Sequence, residues 1–421
     1  MLEASAEHIF YEAGFEAGKI YQLVYESAIA PVAGCGLLAL RDVATWLRAD
    51  TEQNPLHARA GHLYAWGISQ TGRMLRHFLS LGLNVGEDGV RAYDGMYIHV
   101  AGARRGAFNH RFAQPSNQTT PLWGHCFPFA DIPTADALTG QDAGLLDRLE
   151  RSGGIPRIIY TNTAAEYWRG DAALARISTD GQRDLVEHAC AREYLFAGTQ
   201  HVPGFPGRGR RNKGTGTLAR YAINTLDYRP LLRAAMLNLH RWVADDVLPP
   251  DSRHPRVADG TAVTRAEVLR RFSELPGMQV PDSERLPVVR TVDMGACEAE
   301  GVGCYPATEG DAYPALVAAV DTDGNERAGI ALPDVAIPVA TYAGWNPRDP
   351  SCGASDQIAL MDGLGLMFAR DAQARQRSGD PRASVAERYA DRDAYEAALA
   401  QHAALLVEAR LLLAASSTQY L

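Results

Sequence analysis

The chain is predicted to adopt an α/β fold with a mostly parallel central sheet. Three observations predict it. Short β-rich runs alternate with helical stretches through the first half of the chain; a serine stands on a sharp turn between one such run and a helix; and an acid and a histidine follow in order, each just beyond a later run.

Taken in order, the elements begin with two β-like runs, Ile9-Phe10-Tyr11 and Ile20 to Tyr25, and a helix from Leu37 to Arg48 with Leu37, Leu40, Val43, Ala44 and Leu47 on one face. The apolar run Leu63-Tyr64-Ala65-Trp66 reads as a strand, and Arg73 to Leu83 as the helix that follows it. Between them Gly67-Ile68-Ser69-Gln70-Thr71-Gly72 has the character of a nucleophile elbow, in which a strained turn lifts the serine Oγ clear of the backbone. The match to G-x-S-x-G is imperfect, because Thr71 occupies the last glycine position and Gly72 follows it. Residues 93–100, Arg157 to Thr161 and Arg192 to Ala197 read as three further strands. Glu166 lies beyond the second of these and His201 beyond the third. Ser, acid and His, each at the carboxyl end of a strand, is the arrangement of an α/β-hydrolase fold with helices flanking the sheet.

The residue types suit one chemistry. A serine hydroxyl is a weak nucleophile until an imidazole takes its proton, and the imidazole needs a carboxylate to fix its tautomer. Ser69, His201 and Glu166 supply one of each. Asp171 is the rival acid, but it lies farther out, in what reads as a solvent-facing helix. The backbone N–H of Gln70 is the expected half of an oxyanion hole at the helix N-terminus, and the second donor is expected within Ser27 to Gly34, in a loop leaving a strand ahead of the nucleophile strand.

Several segments also resemble a bacterial group known as α/β-hydrolase domain proteins: Gly14 to Tyr21, Ser69-Gln70-Thr71-Gly72-Arg73, Phe108 to Ser116, Glu166-Tyr167-Trp168-Arg169, Gly198-Thr199-Gln200-His201 and Tyr342 to Asn346. The resemblance runs over nearly the whole chain. It implies the α/β-hydrolase fold and a serine esterase activity, without naming a substrate. Members carry a longer β-rich N-terminal region, so the first strands are expected to be lost, rearranged or replaced here.

Residues 102–156 interrupt the strand–helix alternation with an aromatic and proline-rich stretch. It reads as a lid over the site, with Trp123 and Phe127 in an apolar substrate pocket, or alternatively as an excursion packed on its own aromatics. The organisation expected is a hydrolase core over 1–213 and an extension over 214–421 that packs on it and is not independent. In that extension a helix runs from Leu231 to Asp245, a short one from Arg265 to Glu274, and a core helix from Tyr395 to Ala415; Asp323-Gly324, between two apolar runs, signals a hairpin.

A net charge of −9 argues against nucleic acid as a partner. The concentrated basic run, Arg208 to Lys213, reads as a solvated loop, with a role in binding a substrate carboxylate as the alternative. No run is apolar enough for a membrane span, and the first residues lack the basic and apolar regions of a signal peptide, so a cytoplasmic protein is expected. Cys35, Cys126 and Cys190 read as buried thiols; a bridge between Cys297 and Cys304 would instead fit an exported form. No His or Cys cluster has zinc spacing, and the chemistry calls for no cofactor. The expected activity is therefore a serine hydrolase acting on a small-molecule carboxylic ester. A peptidase or acyltransferase would use the same residues, and the rival of another class is a non-catalytic binding protein on this fold.

Overall fold

The computed structural model describes all residues except 1–7, 20, 22, 24, 27, 30–34, 58, 107, 109–126, 208, 298–306 and 421. Its centre is a four-stranded, fully parallel sheet: β1 (Tyr64–Ile68), β2 (Gly95–His99), β3 (Arg157–Thr163) and β4 (Ala191–Phe196), hydrogen-bonded in that order. Both faces of the inner strands are buried, which is why their sequences read as nearly continuous apolar runs. The pleat still sorts their side chains. Met96, Ile98, Ile158 and Tyr160 point to one face, where they meet Leu75, Phe78 and Leu79 of α2 (Gln70–Ser80). Tyr97, Ile159, Tyr194 and Phe196 point to the other, packing with Leu231, Ala235 and Leu239 of α4 (Arg229–Asp245) and with Ala403 and Leu406 of α6 (Arg392–Glu408). One of the main cores is thus assembled from both halves of the chain.

Register aligns the carboxyl ends of the strands. Ile68 pairs with His99, His99 with Thr161, and Thr163 with Phe196. The turns after β1, β3 and β4 therefore open on one edge of the sheet, where ligands bind in open α/β folds. After β3 the chain enters the short helix α3 (Ala164–Trp168). A second core lies beneath it, where Trp345 packs against Trp168 (5.1 Å between rings) and against Phe272 (4.9 Å) of α5 (Arg265–Ser273).

Some expectations change. The described residues of the two N-terminal β-like runs are not in strands; Tyr11, Phe15 and Tyr21 pack on one another instead, and β1 is an edge of the sheet with Trp66 and Ile68 exposed. β propensity makes a strand only where a neighbouring edge accepts its hydrogen bonds, and these residues pair with none. The helix predicted from Leu37 forms as α1 (Cys35–Arg48). The hairpin around Asp323-Gly324 reduces to a tight turn with one bridge, Val320 to Glu326. Its flanks find other partners: Leu316–Ala318 pairs with Ala262–Thr264, and Ile330 bridges to Phe196 of β4. Cys35 is exposed and Cys190 half-buried, whereas Cys126 and Cys304 lie outside the described residues.

Candidate active site

Ser69 sits between β1 and α2 with φ 55° and ψ −112°, a conformation that costs a non-glycine residue about 1–3 kcal/mol. Its neighbours hold it there. The Ser69 N–H donates to the His99 carbonyl at 2.9 Å, and the Ser69 carbonyl accepts from the Arg73 N–H at 2.9 Å. Thr71, the departure from G-x-S-x-G, clamps the turn: its Oγ1 accepts from the Ile68 N–H at 2.8 Å and donates to the Ile68 carbonyl at 2.9 Å. The close-packing glycine is Gly72, where an added Cβ would lie 3.1 Å from the His99 oxygen. At Gly67 a Cβ would meet the Thr71 carbonyl oxygen at 2.6 Å, so no side chain fits.

Glu166 is the third residue of α3 and forms a capping box with Thr163. Its Oε2 accepts from the Thr163 N–H at 2.8 Å and from the Thr163 hydroxyl at 2.5 Å. That leaves Oε1 for His201 Nδ1, 2.7 Å away, with Arg169 Nη2 at 3.3 Å. His201 Nε2 faces Ser69 Oγ at 3.0 Å. The structure thus brings together the three residues expected from the sequence. Glu166 is fully buried; burial alone would raise its carboxyl, but Arg169, His201 and the Thr163 hydrogen bonds hold it at about 2. Burial pushes the His201 imidazole below its ordinary value, against the pull of Glu166 and with a further push from Arg169 and Arg104. An ionised Glu166 accepts a hydrogen bond from the Nδ1–H, so the Nε2 lone pair is turned toward the Ser69 hydroxyl.

The loop carrying His201 is pinned from the second half of the chain. The Gly198 N–H donates to Glu326 Oε2 at 2.7 Å, and its carbonyl accepts from Asn224 Nδ2 at 2.6 Å. Gln200 Oε1 accepts from the Gly363 N–H at 2.8 Å, and the His201 carbonyl accepts from the Tyr228 hydroxyl at 2.7 Å. Below Tyr228 lies His99, Nε2 at 3.3 Å from the phenol and Nδ1 at 2.8 Å from Thr161 Oγ1, its imidazole pushed down to about 3 by burial. The Tyr342-to-Asn346 segment supports the acid: at Gly344 a Cβ would lie 2.5 Å from that of Ala164, so backbone there packs directly on the start of α3.

Residues 16–421 match the family described as an alpha/beta hydrolase domain. The chain belongs to that family. No match was found among curated proteins, nor among solved structures. In this alpha/beta hydrolase domain the other predicted positions are distributed as follows. Gln70 opens α2, next to Ser69. Of the Ser27-to-Gly34 loop only Ala28 and Ile29 are among the described residues, and none of those before β1 forms a strand. Trp123 lies outside the described residues. Phe127 packs edge-on against Phe129, 5.9 Å between rings, at the margin of a small core with Val289 and Tyr313.

Asp171 corrects an expectation. Instead of facing solvent it is 1% exposed, because the chain turns inward after α3 and sets the carboxylate beside Arg104 Nε (3.1 Å) and Arg169 Nε (3.5 Å). With Arg73, one turn along α2 from Ser69, these guanidiniums form a buried cationic cluster beside the Ser69–His201–Glu166 relay. Sequence reasoning misses this cluster because single arginines in unrelated loops carry no periodic signal. Of the basic run that does stand out in the sequence, 208–213, the described residues 209–213 are mostly exposed: Arg210 pairs with Asp349, while Asn212 turns inward to Asp362.

Proposed function

We propose that this protein is a serine hydrolase of carboxylic esters. Ser69 attacks the ester carbonyl as His201 takes its proton; the alcohol leaves with that proton; and water, activated by His201 in turn, releases the acid from the acyl-enzyme. Glu166 orients the imidazole and stabilises its charged form. The Gln70 N–H, at the positive end of α2, is the natural donor to the oxyanion, with a second donor from Ser27 to Gly34. One observation carries the reading: the continuous relay from Ser69 Oγ to His201 Nε2 at 3.0 Å and from His201 Nδ1 to Glu166 at 2.7 Å, with the serine on a strained turn at a helix N-terminus. A purely structural serine has no use for that strain. Residues 102–156 leave the sheet after β2 and would cap the site as a lid, with Trp123 and Phe127 in its apolar wall.

A fluorophosphonate probe and a series of 4-nitrophenyl esters test this. The wild-type protein should label at one site and turn over esters, and Ser69→Ala should abolish both, costing about 10⁴-fold or more in kcat, with the fold retained. Stoichiometric labelling of the Ser69→Ala protein would move the nucleophile elsewhere.

A further inference from the structure

Glu166 offers one carboxylate oxygen to two partners. Its Oε1 accepts the hydrogen bond from His201 Nδ1 at 2.7 Å, while Arg169 Nη2 stands 3.3 Å from the same oxygen without hydrogen-bonding to it. Arg169 is the C-cap of α3, three residues after Glu166 and so on the same side of that turn. Its Nε lies 3.5 Å from Asp171 Oδ1, and Arg104 Nε lies 3.1 Å from Asp171 Oδ2. Charges therefore alternate in sign from Arg104 through Asp171 and Arg169 to Glu166, which meets the imidazole. We propose that Arg169 is a positioning residue for the base: its charge balances Glu166 so that His201 rests neutral, and Asp171 sets how much of that charge Glu166 feels. The inference rests on the serine-hydrolase reading of Ser69.

The need for such a residue comes from the burial of the carboxylate. Glu166 is fully buried, and an ionised carboxylate in that setting requires a counter-charge. If His201 had to supply it, the imidazole would take up a proton on Nε2 and lose the lone pair that faces Ser69. Arg169 supplies the charge instead. Among the described basic side chains only Arg169 and His201 pair with Glu166, and because Arg169 makes no hydrogen bond there, Oε1 stays available to orient His201 Nδ1. Asp171 is held in turn by packing: a Cβ at Gly102 would run into its carboxylate, and the Gly102 N–H is fastened to Asn162 Oδ1 at 2.9 Å. The other charged or titratable groups whose fields reach this pair are Arg104 beyond β2, Arg73 on α2, and His99, Tyr167 and Tyr228, which burial keeps neutral. Burial raises the Glu166 carboxyl and lowers the His201 imidazole; Arg169 is the leading influence against the first and adds to the second.

The pH dependence of fluorophosphonate labelling at Ser69 and an NMR titration of the His201 ring nitrogens report on this role by separate routes. In Arg169→Gln the acid limb of the labelling rate and the His201 titration should both move up by about one pH unit, and Arg169→Lys should restore most of the shift. Asp171→Asn removes the charge that offsets Arg169, so in that variant both should move down. Loosened packing alone would lower the melting temperature of each variant without shifting the two titrations in opposite directions. If Arg169→Gln does not fold, the sign of the Asp171→Asn shift decides. An unshifted titration in a folded Arg169→Gln protein, or shifts of the same sign in the two variants, would overturn the role of Arg169 and leave the hydrolase standing. A protein whose Ser69 never labels, yet whose His201 titrates as described, would refute the hydrolase and leave the electrostatic role of Arg169 intact.

Discussion

Tyr228 donates its phenolic O–H to the main-chain carbonyl of His201 across 2.7 Å, from a position fully buried beneath the loop. The candidate base is therefore held by the start of α4, an element outside the strand–turn units that carry Ser69, Glu166 and His201. Removing the hydroxyl leaves a buried carbonyl unpaired, which costs about 1–3 kcal/mol. Tyr228→Phe should lower the melting temperature by a few degrees and reduce kcat by about tenfold with little change in KM, because the imidazole loses its fixed orientation. Melting curves and ester kinetics measured together separate this from a purely structural effect, in which activity per folded molecule would not change.

Glu166 and Asp171 should part company under amide substitution. Glu166→Gln keeps the shape but presents an amide to His201 Nδ1, so a loss of about 10³ to 10⁴ in kcat is expected, on the scale seen when the aspartate of a serine-protease triad is changed to asparagine. Asp171→Asn leaves Arg104 and Arg169 short of a counter-charge in a buried site, so it should fall mainly in melting temperature and lose far less in kcat. A crippled but stable Asp171→Asn enzyme would reverse the assignment of the acid.

The pH dependence has a definite sign. His201 must be neutral to act as base, and its pKa is lowered by burial, so the acid limb of kcat/KM should lie below the ordinary histidine value of about 6.5. Stability moves in the same direction. As pH falls below that ordinary value, the unfolded chain takes up a proton on His201 that the folded one resists; lower still, the unfolded glutamate protonates while Glu166 stays ionised down to about 2. Both effects erode stability on acidification. A pH–rate profile with its acid limb above 7 would contradict the burial of this imidazole.

Glu326 titrates in the opposite sense. Burial raises its carboxyl to about 8, offset only in part by the hydrogen bond from the Gly198 N–H. Between the ordinary glutamate value of about 4.3 and pH 8 the folded state keeps a proton that the unfolded state has released, so stability falls as pH rises through that window. Glu326→Gln retains an acceptor for Gly198 and should melt a few degrees higher than wild type at pH 9, with the gap closing toward pH 4. Parallel melting curves across that range would show the trend or its absence.

Much of this is legible in the sequence because it is local. The β-rich runs at 63–66, 93–100, 157–161 and 192–197 correspond to β1 through β4; the inner strands, buried on both faces, carry the longest apolar stretches, whereas β1 lies at the edge. Periodicity places a helix after Ser69, expected over Arg73 to Leu83; it forms three residues earlier at both ends, as Gln70–Ser80. Asp171 escapes such reasoning because helical periodicity describes a face and not what packs on it; the arginines that bury it arrive from turns that are distant in sequence. The N-terminal runs mislead for a related reason, since a strand exists only with a partner edge.

By itself, then, the sequence determined the order of strands and turns and hence the residues delivered to the carboxyl edge of a parallel sheet, because backbone sterics and burial act over a few neighbouring residues. Only the tertiary structure decided the remainder: that Thr163 turns one oxygen of Glu166 away and leaves the other for His201, that Glu326, Asn224, Gly363 and Tyr228 fasten the His201 loop, and that Arg73, Arg104 and Arg169 share one buried space. These are contacts between groups far apart along the chain, set by how faces stack and by which charges must be matched once water is excluded, and no local pattern encodes them.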